Sequence, residues 1–470
     1  AGAKLPALSL SIQQADGRFQ EYEPAFGVVY QDADKILFKH VTPDGFEIYR
    51  GYSLPQDLNR LEPYVVSHET RFENKTDHSI DLKELFVNLG AVPPCSSDTA
   101  GEFLNVGYYN GDDAEFTAIA YFKGSSGFLG IGKKAPQSTF SQQVNPLVWA
   151  SLKNQFFTSV FTPSKPGTRI FAEPIKMQDE QGHWEEGITA RAGFDLGRME
   201  IGDSALLNAS YYVGPKEYVR LDGLGEHQDL VMQFGFFGVF SKVLLVILHA
   251  IHSVVPNYGL TIILITVLVK LLLWPLTAAS TRSARKMSQL QAPIQVLKER
   301  YKDNPQKIQQ ETMKLFKEYK VNPAMGCLPI VVQIPIFIGL FWMLKSASEL
   351  RFAHFLWIQD LSMPDTVAML WGFPFNPLPL VMGVSMFVQM RLAPTATTDA
   401  FQKKMFQMMP FIFLVISYNF PSGLVLYWTV QNLLTILQQW ISNRKPLPPL
   451  KLADTAPAGK KSGNKKKNKK

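Results

Sequence analysis

Residues 261–277 read TIILITVLVKLLLWPLT, an apolar run with one lysine, Lys270, deep inside it. With Gly259 and Leu260 in front, the run reaches about the 20 residues that a helix needs to cross a bilayer. Lys270 precedes Thr277 by seven residues, or about 10 Å of helix. Its ammonium could therefore extend along the chain toward the lipid headgroups. The other interpretation is a charge that faces a polar cavity inside the protein, which is usual for an ionisable residue within a span.

Four more apolar segments follow this one and predict a membrane domain of five spans over 256–441. The predicted spans are 259–277, 327–344, 377–392, 405–420 and 422–441. A further apolar stretch, 229–255, precedes them and contains Lys242, His249 and His252. That stretch could also span a bilayer, but its glycines and polar positions favour an amphipathic helix lying in the membrane interface.

The distribution of charge predicts the orientation of the spans. Segment 281–322 holds ten Lys and Arg against four acidic residues, and the tail 442–470 holds ten against Asp454 alone. Loop 346–375 has Arg351 as its only basic residue. Because basic loops remain in the cytoplasm, segment 281–322 and the tail are expected there. Five spans that end inside begin outside, so residues 1–228 are expected outside the cytoplasm, after an N-terminal signal or anchor that has been removed.

Residues 1–228 have the pattern of a soluble β-rich domain. Short alternating runs such as LSLSIQ (8–13), FEIYRGY (46–52) and YVVSHETRF (64–72) are separated by Gly, Pro and Asp turn signals. A large antiparallel sandwich is the architecture that this pattern favours. This half carries 20 basic and 30 acidic residues, a net charge of −10, whereas residues 229–470 carry 27 and 10, a net charge of +17. Such asymmetry suits a basic half that meets an anionic partner.

Helical phase places Lys270 on a polar face. At 100° per residue, Gly259, Thr266, Lys270 and Thr277 fall within about 40° of one line. A second polar stripe lies in the last span and consists of Trp428, Gln431, Asn432, Thr435 and Gln439. The two stripes could line one hydrophilic groove, or their amides could hold helices together. The candidate groove residues are Lys270, Thr266, Trp428, Gln431, Asn432 and Thr435.

The remaining parts of the C-terminal half surround this candidate groove. The third and fourth spans are rich in Met, Phe and Val, a surface that is adaptable but that core packing explains equally well. Segment 281–322 reads as two amphipathic helices joined at Asp303-Asn304-Pro305, either a solvated hairpin at the headgroups or a docking site. The lysine-rich tail is disordered by composition and could bind anionic lipid or RNA phosphates.

Sites for enzymatic chemistry are not supported by the sequence. GFLGIGKK (127–134) approaches a phosphate-binding loop, but Lys134 stands where that loop needs Ser or Thr. A Ser–Lys pair would require contact between Ser422, expected at the outer surface, and Lys270, expected in the inner half of its span. Cys95 and Cys327, the two cysteines, form no metal or redox motif, and no His/Cys/carboxylate cluster has metal spacing. We therefore expect no catalytic residues, cofactor, metal or nucleotide.

Several motifs in order resemble the YidC/Oxa/Alb family of membrane protein insertases, in its Gram-negative bacterial form. They are GLTIILITVLVKLLLWPLT, EYKVNPAMGCLPIVVQIPIF, APTATTDAFQKKM and FPSGLVLYWTVQNLLTILQQ. The resemblance implies a periplasmic β-supersandwich, an interfacial helix, five conserved transmembrane helices and a cytoplasmic helical hairpin. It also implies a groove open to cytoplasm and lipid, whose central basic residue, usually arginine, corresponds to Lys270. Thr266 and Trp428 would correspond to its neighbouring threonine and its substrate-contacting aromatic residue.

The expected function is that of an insertase and chaperone in the bacterial inner membrane. The resemblance implies as partners nascent membrane proteins, the ribosome and the Sec translocon, and the basic regions suit anionic lipids. The polar tail of a nascent segment would be attracted to Lys270, while its apolar part would move along the third and fourth spans into lipid. The alternatives are a small-solute or ion transporter that uses Lys270 as its charged site, and a structural assembly factor.

Overall fold

The structure is a computed structural model that describes residues 6–14, 16–22, 25–54, 63–95, 97–98, 100–124, 135–178, 182–319, 321–322, 325, 328–393 and 400–444, without the side chains of 329–330, 400–403 and 406. The chain forms two compact units. The first comprises Ala1–Ile262, Pro335–Asn376 and Asn419–Leu424. The second comprises Ile263–Ile334, Pro377–Tyr418 and Val425–Lys470.

The N-terminal half consists almost entirely of antiparallel strands. In chain order these are β1 (Leu10–Gln13), β2 (Phe19–Tyr22), β3 (Gly27–Gln31), β4 (Lys35–Val41), β5 (Phe46–Ser53), β6 (Val65–Asn74), β7 (Ile80–Asp81), β8 (Leu85–Val92), β9 (Asn105–Tyr109), β10 (Ala114–Ala118), β11 (Phe140–Leu147), β12 (Trp149–Lys153), β13 (Phe157–Pro163), β14 (Gly167–Gln178), β15 (Trp184–Phe194), β16 (Arg198–Met199) and β17 (Ser204–Pro215). In the part of this half that the structure describes, one α-helical turn, α1 (Ala120–Lys123), lies among the strands.

Two large sheets enclose one core. The nine-stranded sheet has the order β10-β9-β12-β13-β17-β6-β5-β4-β3, and the six-stranded sheet has the order β11-β14-β15-β8-β1-β2. Along β6, His68, Thr70 and Phe72 are buried, because alternate residues of a strand face the same side. Phe161 of one sheet contacts Phe194 of the other with ring centroids 6.1 Å apart. These observations confirm the predicted β-rich domain and show two antiparallel sheets packed as a sandwich.

The helices follow the sandwich. They are α2 (Tyr218–Gly223), α3 (Gly238–His252), α4 (Tyr258–Leu272), α5 (Trp274–Gln289), α6 (Gln291–Arg300), α7 (Pro305–Glu318), α8 (Leu328–Ser346), α9 (Pro377–Leu392), α10 (Ala400–Ser417) and α11 (Ser422–Arg444). Short strands β18 (Ala368–Leu370) and β19 (Phe373–Phe375) form a hairpin between α8 and α9. The sequences of these strands, AML and FPF, show no alternation that predicts a hairpin.

Two predicted helices differ from the structure. The interfacial helix predicted over 229–255 is α-helical only in α3, since the left-handed backbone of Gln233 and Gly235 separates it from a 3-10 turn at Gln228–Met232. The span predicted over 259–277 is broken at Leu273 into α4 and α5, which are bent by 61°. Pro275 lies in the first turn of α5, where its missing N–H costs no helical hydrogen bond.

The predicted spans correspond to helices of slightly different extent. Segments 327–344, 377–392, 405–420 and 422–441 are represented by α8, α9, α10 and α11. Among the described residues, no helix taken singly has the length and apolarity to cross a bilayer, whereas the bent pair α4 and α5 meets both criteria when taken together.

Within the first unit, the sandwich packs against the C-terminal part of α8. The side-chain amide of Gln155 donates to the backbone carbonyl of Lys345 at 2.8 Å. The Lys345 ammonium is paired with the carboxylate of Glu102, and the ring of Phe103 contacts that of Trp342 at 6.0 Å. Polar and aromatic contacts thus fix the sandwich to this end of α8.

Candidate functional site

Lys270 lies on α4 with only 5% of its surface exposed. Its ammonium nitrogen donates a hydrogen bond to the hydroxyl of Thr435 on α11 at 2.8 Å. The same hydroxyl donates to the backbone carbonyl of Gln431 at 2.7 Å. The ammonium is therefore held against a neighbouring helix of the second unit, which agrees with a charge that faces protein.

No carboxylate among the described residues lies within ion-pair distance of Lys270. A buried charge normally has an ionic partner, because leaving water without one is costly. One hydroxyl satisfies one of the three ammonium donors. Lys270 therefore retains the capacity to attract an anionic group.

The other residues of the polar line predicted on span 259–277 lie in three different places. Thr266, one turn before Lys270, is completely buried. Gly259 instead lies in the first unit, where a Cβ would come within 2.2 Å of the Phe355 ring. Thr277 lies beyond the helix break, on α5, and accepts a hydrogen bond from the Gln438 amide at 2.6 Å. The polar face of α4 is thus confined to Thr266 and Lys270.

The stripe on α11 is connected to two further helices. The amide of Asn432 donates to the hydroxyl of Ser385 on α9 at 3.1 Å. The amide of Gln431 is 3.5 Å from the side-chain oxygen of Gln333 on α8. Both contacts lie within the second unit. These two amides therefore join neighbouring helices, which is one of the two roles that the sequence allowed for the stripe.

Three buried amide oxygens in this unit lack hydrogen-bond partners among the described residues. They belong to Gln389, Gln431 and Gln439. Buried acceptors without partners are rare in proteins and call for an explanation. Together with Lys270, they give the helices of the second unit free donor and acceptor capacity, which a polar guest or ordered water could use.

Trp428 stands where the polar stripe meets an apolar helix. Its half-buried indole contacts the ring of Phe413 on α10 edge to face, with centroids 5.4 Å apart. Many large apolar side chains of α9 and α10 are exposed. These are Leu380, Val381, Val384, Phe387, Val388, Met405, Met408, Met409, Phe411, Ile412, Val415 and Ile416. Met408 and Met409 of α10 are thus exposed, whereas Met382 of α9 is buried in the core.

Sequence reasoning missed three polar residues of this arrangement. Ser385 is the single hydroxyl in the apolar run PLPLVMGVSMFVQM, and Gln333 is the single amide in PIVVQIPIF. Gln438, rather than Gln439, provides the contact to Thr277. An isolated polar residue in an apolar helix was the available signal, but the neighbour that it meets depends on helix packing.

Segment 281–322 is more divided than predicted. It contains three helical pieces instead of the two helices predicted, namely the end of α5, then α6 and α7. The helix is interrupted at Leu290 as well as near Asn304. Leu290, Ile294 and Val321 form its small core, and Met287, Leu315 and Phe316 pack against that core. Apolar residues of the two predicted amphipathic helices therefore pack against each other. Val296 and Met313 remain exposed.

The other candidate sites are not part of this arrangement. GFLGIGKK (127–134) and Cys327 lie outside the described residues, as does the tail beyond 444. The Ser422 hydroxyl donates to the carbonyl of Asp360 at 3.0 Å. Within the described chain, no group of three or more His, Cys, Asp or Glu residues is arranged to hold a metal ion.

Two family models match the chain. One, described as "60Kd inner membrane protein", matches residues 250–447, and the other, described as "YidC periplasmic domain", matches residues 12–247. The two matches meet between residues 247 and 250, within α3, and together cover the sandwich and the helices.

Curated relatives carry the name "Membrane protein insertase YidC". The protein of Francisella philomiragia is 33% identical over 423 residues, covering 89% of this chain and 71% of the relative. That of Nitrosomonas europaea is 34% identical over 432 residues, covering 91% and 64%. The relative from Polynucleobacter asymbioticus is 39% identical over 298 residues, covering 63% of this chain. The chain spans half of that relative's length.

A solved structure entitled "Active YidC insertase crystal structure with the first transmembrane domain resolved" is also similar. It shares 18% sequence identity at a TM-score of 0.35, covering 88% of this chain and 93% of that one.

Proposed function

This chain belongs to the YidC family of membrane protein insertases, and we propose that it transfers hydrophobic segments of nascent proteins from the cytoplasm into the inner membrane. The proposed path begins at the polar arrangement around Lys270 and ends at the apolar surface of α9 and α10. The function requires no catalytic residue, because no covalent bond changes.

The observation that carries the proposal is the buried, unneutralised ammonium of Lys270. Its hydrogen bond to Thr435 fixes its position, and no described carboxylate compensates its charge. In a medium of low dielectric constant, such a charge attracts an anionic group more strongly than it would in water. A nascent polar tail that bears Asp or Glu would therefore be drawn toward it.

The family resemblance implies an arginine at position 270, where this chain has a lysine. This difference limits how the residue can hold a carboxylate. An ammonium is a compact point charge, whereas a guanidinium offers a planar fork for two parallel hydrogen bonds. Electrostatic attraction of an acidic tail is retained with Lys270. A bidentate contact is not available to it.

The unpaired amide oxygens support transient binding of polar backbone. Each polar backbone group that enters hydrocarbon without a partner costs several kcal/mol. The side-chain oxygens of Gln389, Gln431 and Gln439 can accept hydrogen bonds from N–H groups. A groove formed with Thr266, Trp428, Asn432 and Thr435 would thus lower the cost of carrying a polar tail into the membrane.

The exposed side chains of α9 and α10 suit the apolar part of the substrate. Met and Phe adapt to different apolar partners, and Trp428 joins this surface to the polar stripe through Phe413. An apolar segment held there would partition into lipid as its polar tail crosses.

The matched family models belong to an inner membrane protein and a periplasmic domain. On this basis we propose a membrane topology with five spans. Residues 1–228 lie in the periplasm, and segment 281–322 and the tail lie in the cytoplasm. The basic hairpin and tail would receive nascent chains from the ribosome and bind anionic lipids. Cooperation with the Sec translocon is part of the same proposal.

Site-specific photocrosslinking to ribosome-bound nascent chains tests this function. A crosslinker at Thr266, Trp428 or Gln431 should capture a nascent segment with an acidic tail. The matched control is Leu264, which lies on the same helix as Thr266 but is exposed. Crosslinks from the three groove positions, and none of comparable yield from Leu264, are expected.

Insertion that proceeds normally without crosslinks from the groove positions would contradict the proposed path. A solute transporter would instead show gradient-dependent uptake into liposomes that depends on Lys270. A structural assembly factor would insert substrates equally well after Lys270→Ala. The comparisons do not favour the transporter, since the relatives are named as insertases.

A further inference from the structure

The hairpin formed by β18 and β19 exposes an apolar tip that nothing in the proposed insertion path uses. Strand pairing joins Ala368 to Phe375 and Leu370 to Phe373, and Trp371 and Gly372 form the two-residue turn. Trp371 is fully exposed, at 102% of its reference surface. Val367, Met369, Leu370 and Phe373 are also exposed. From Val367 to Phe373 the sequence VAMLWGF contains no charged or hydrogen-bonding side chain apart from the indole.

The base of the hairpin is held firmly. The Thr366 hydroxyl donates to the side-chain oxygen of Asn376 at 2.7 Å, and the Val367 amide donates to the Phe375 carbonyl at 3.0 Å. Next to it, the indole of Trp357 donates to the buried carboxylate of Asp365 at 3.1 Å. These polar contacts hold the base of the hairpin, whereas the side chains toward its tip are apolar and exposed.

The turn residue is also unusual. Trp371 has a φ of 50° and Gly372 a φ of 82°, the left-handed pair of a tight hairpin turn. Asn, Asp and Gly are preferred at the first of these positions, and a bulky residue there costs about 1–3 kcal/mol. An indole that is fully exposed gains no burial within the chain that would offset this cost. Burial that offsets the cost would have to come from a surface outside the chain.

We propose that this hairpin tip inserts into the periplasmic surface of the lipid bilayer, at the boundary between headgroups and acyl chains. The inference rests on the proposed function in one respect, namely that α9 spans the membrane. One residue, Asn376, separates the end of β19 from the start of α9. The last Cα of the hairpin therefore lies within about 7 Å of the first Cα of that helix.

A lipid surface fits the tip better than a protein partner does. Protein interfaces surround an apolar centre with polar residues, and the tip has no such rim. Trp is enriched where membrane meets water, because its apolar ring and N–H suit that boundary. Shallow insertion leaves the unpaired backbone groups of the turn among headgroups, whereas the hydrocarbon core would not satisfy them.

The chain provides a matched control in a second exposed tryptophan. Trp184 begins β15 in the sandwich and is 59% exposed. Its neighbours His183, Glu185 and Glu186 are polar or charged, whereas Leu370, Gly372 and Phe373 surround Trp371 in the sequence. A charged neighbourhood disfavours contact with lipid, so Trp184 is expected to remain in water.

Depth-dependent fluorescence quenching tests the proposal on the full chain in liposomes. Cys95 and Cys327 are replaced by Ser, and an NBD fluorophore is attached at Trp371→Cys, Trp184→Cys or Val384→Cys, the last on the exposed surface of α9. At position 371, we expect blue-shifted emission and loss of fluorescence with a nitroxide near the headgroup. At 184 we expect neither effect, and at 384 we expect stronger quenching by a nitroxide deep in the acyl chains.

A second variant tests the cause of the quenching. Leu370→Asp, combined with the label at 371, should reduce the quenching and shift the emission to the red, because a carboxylate disfavours insertion. Emission and quenching at 371 that match those at 184 would overturn the inference. If 384 stays deeply quenched in that case, only the hairpin inference fails. If 384 is unquenched as well, the membrane topology on which the proposed function rests fails too.

Discussion

The ammonium of Lys270 on α4 and the hydroxyl of Thr435 on α11 lie 2.8 Å apart and join two helices through one hydrogen bond. This contact connects the two polar stripes that the sequence shows. It also fixes a charge that has no ionic partner in the described chain. Its energetic and functional consequences are separable by mutation.

The energetic consequence is measured by a double-mutant cycle. Thr435→Val removes the hydroxyl with little change of shape and should lower the free energy of unfolding by about 1–2 kcal/mol, since hydrogen bonds to charged groups are the stronger ones. In a Lys270→Met background the same change should cost much less, because no ammonium is left unsatisfied. Unfolding in mixed detergent micelles supplies the four free energies. Equal costs of Thr435→Val in both backgrounds would show that the two residues are not coupled.

Gly259 is the residue at which the structure predicts a packing conflict. An alanine in a helix is normally more stable than glycine by about 1 kcal/mol. At position 259, however, a Cβ would lie 2.2 Å from the Phe355 ring. Gly259→Ala should therefore destabilise the protein by about 1–3 kcal/mol, as overpacking does. Thermal unfolding in detergent checks this.

The matched control for this change is Gly223→Ala at the end of α2, where a Cβ meets no atom within 4 Å. It should leave the unfolding temperature unchanged or slightly higher. Phe355→Ala in the Gly259→Ala background should recover part of the loss from overpacking. Similar effects of the two alanine substitutions would mean that Phe355 is not the cause.

His68 predicts a pH dependence of stability in the sandwich. The side chain is 2% exposed, and its Nε2 lies 2.8 Å from the Thr70 hydroxyl. Burial, and to a smaller extent the neighbouring Arg50 guanidinium, lowers the pKa of His68 from 6.5 to about 3. Between these values the unfolded chain binds a proton that the folded chain does not. Stability is therefore lost as the pH falls below 6.5, by about 1.4 kcal/mol per pH unit.

Hydrogen exchange of β5 and β6 in the full chain, corrected for the intrinsic effect of pH, measures this loss. Between pH 7 and pH 5 the wild-type protein should lose about 2 kcal/mol more than His68→Gln, which cannot take up the proton. A pH dependence that is the same in both proteins would remove His68 as its origin.

The extent to which the site is predictable from sequence differs between its parts. Thr266 and Lys270 are predictable because the geometry of one helix determines which residues share a face. Ser385 and Gln333 are not, because their contacts with Asn432 and Gln431 depend on how separate helices pack. Gly259 has the right phase but lies under Phe355, so phase alone does not identify a polar lining.

The fold, like the site, is predictable from the sequence only in part. Alternation in segments such as 64–72 predicts strands, and β6 alternates as expected over His68, Thr70 and Phe72. The break of the first predicted span at Leu273 was missed, although Pro275 is a local signal for it. Hydropathy measures the length of an apolar segment but not whether one straight helix covers it. The β18–β19 hairpin was missed because its strands have three residues each and do not alternate.

The central claim is that the charge of Lys270 attracts the acidic tail of a substrate. The most direct test uses cells that depend on the wild-type, Lys270→Arg or Lys270→Gln protein. It measures how fast these cells insert two substrates that differ only in having an acidic or a neutral tail. The account predicts that Lys270→Gln slows insertion of the acidic-tailed substrate about tenfold, equivalent to about 1.4 kcal/mol, and leaves the neutral-tailed one unchanged, while Lys270→Arg supports both. Equal insertion of the acidic-tailed substrate by the wild-type and Lys270→Gln proteins would contradict it.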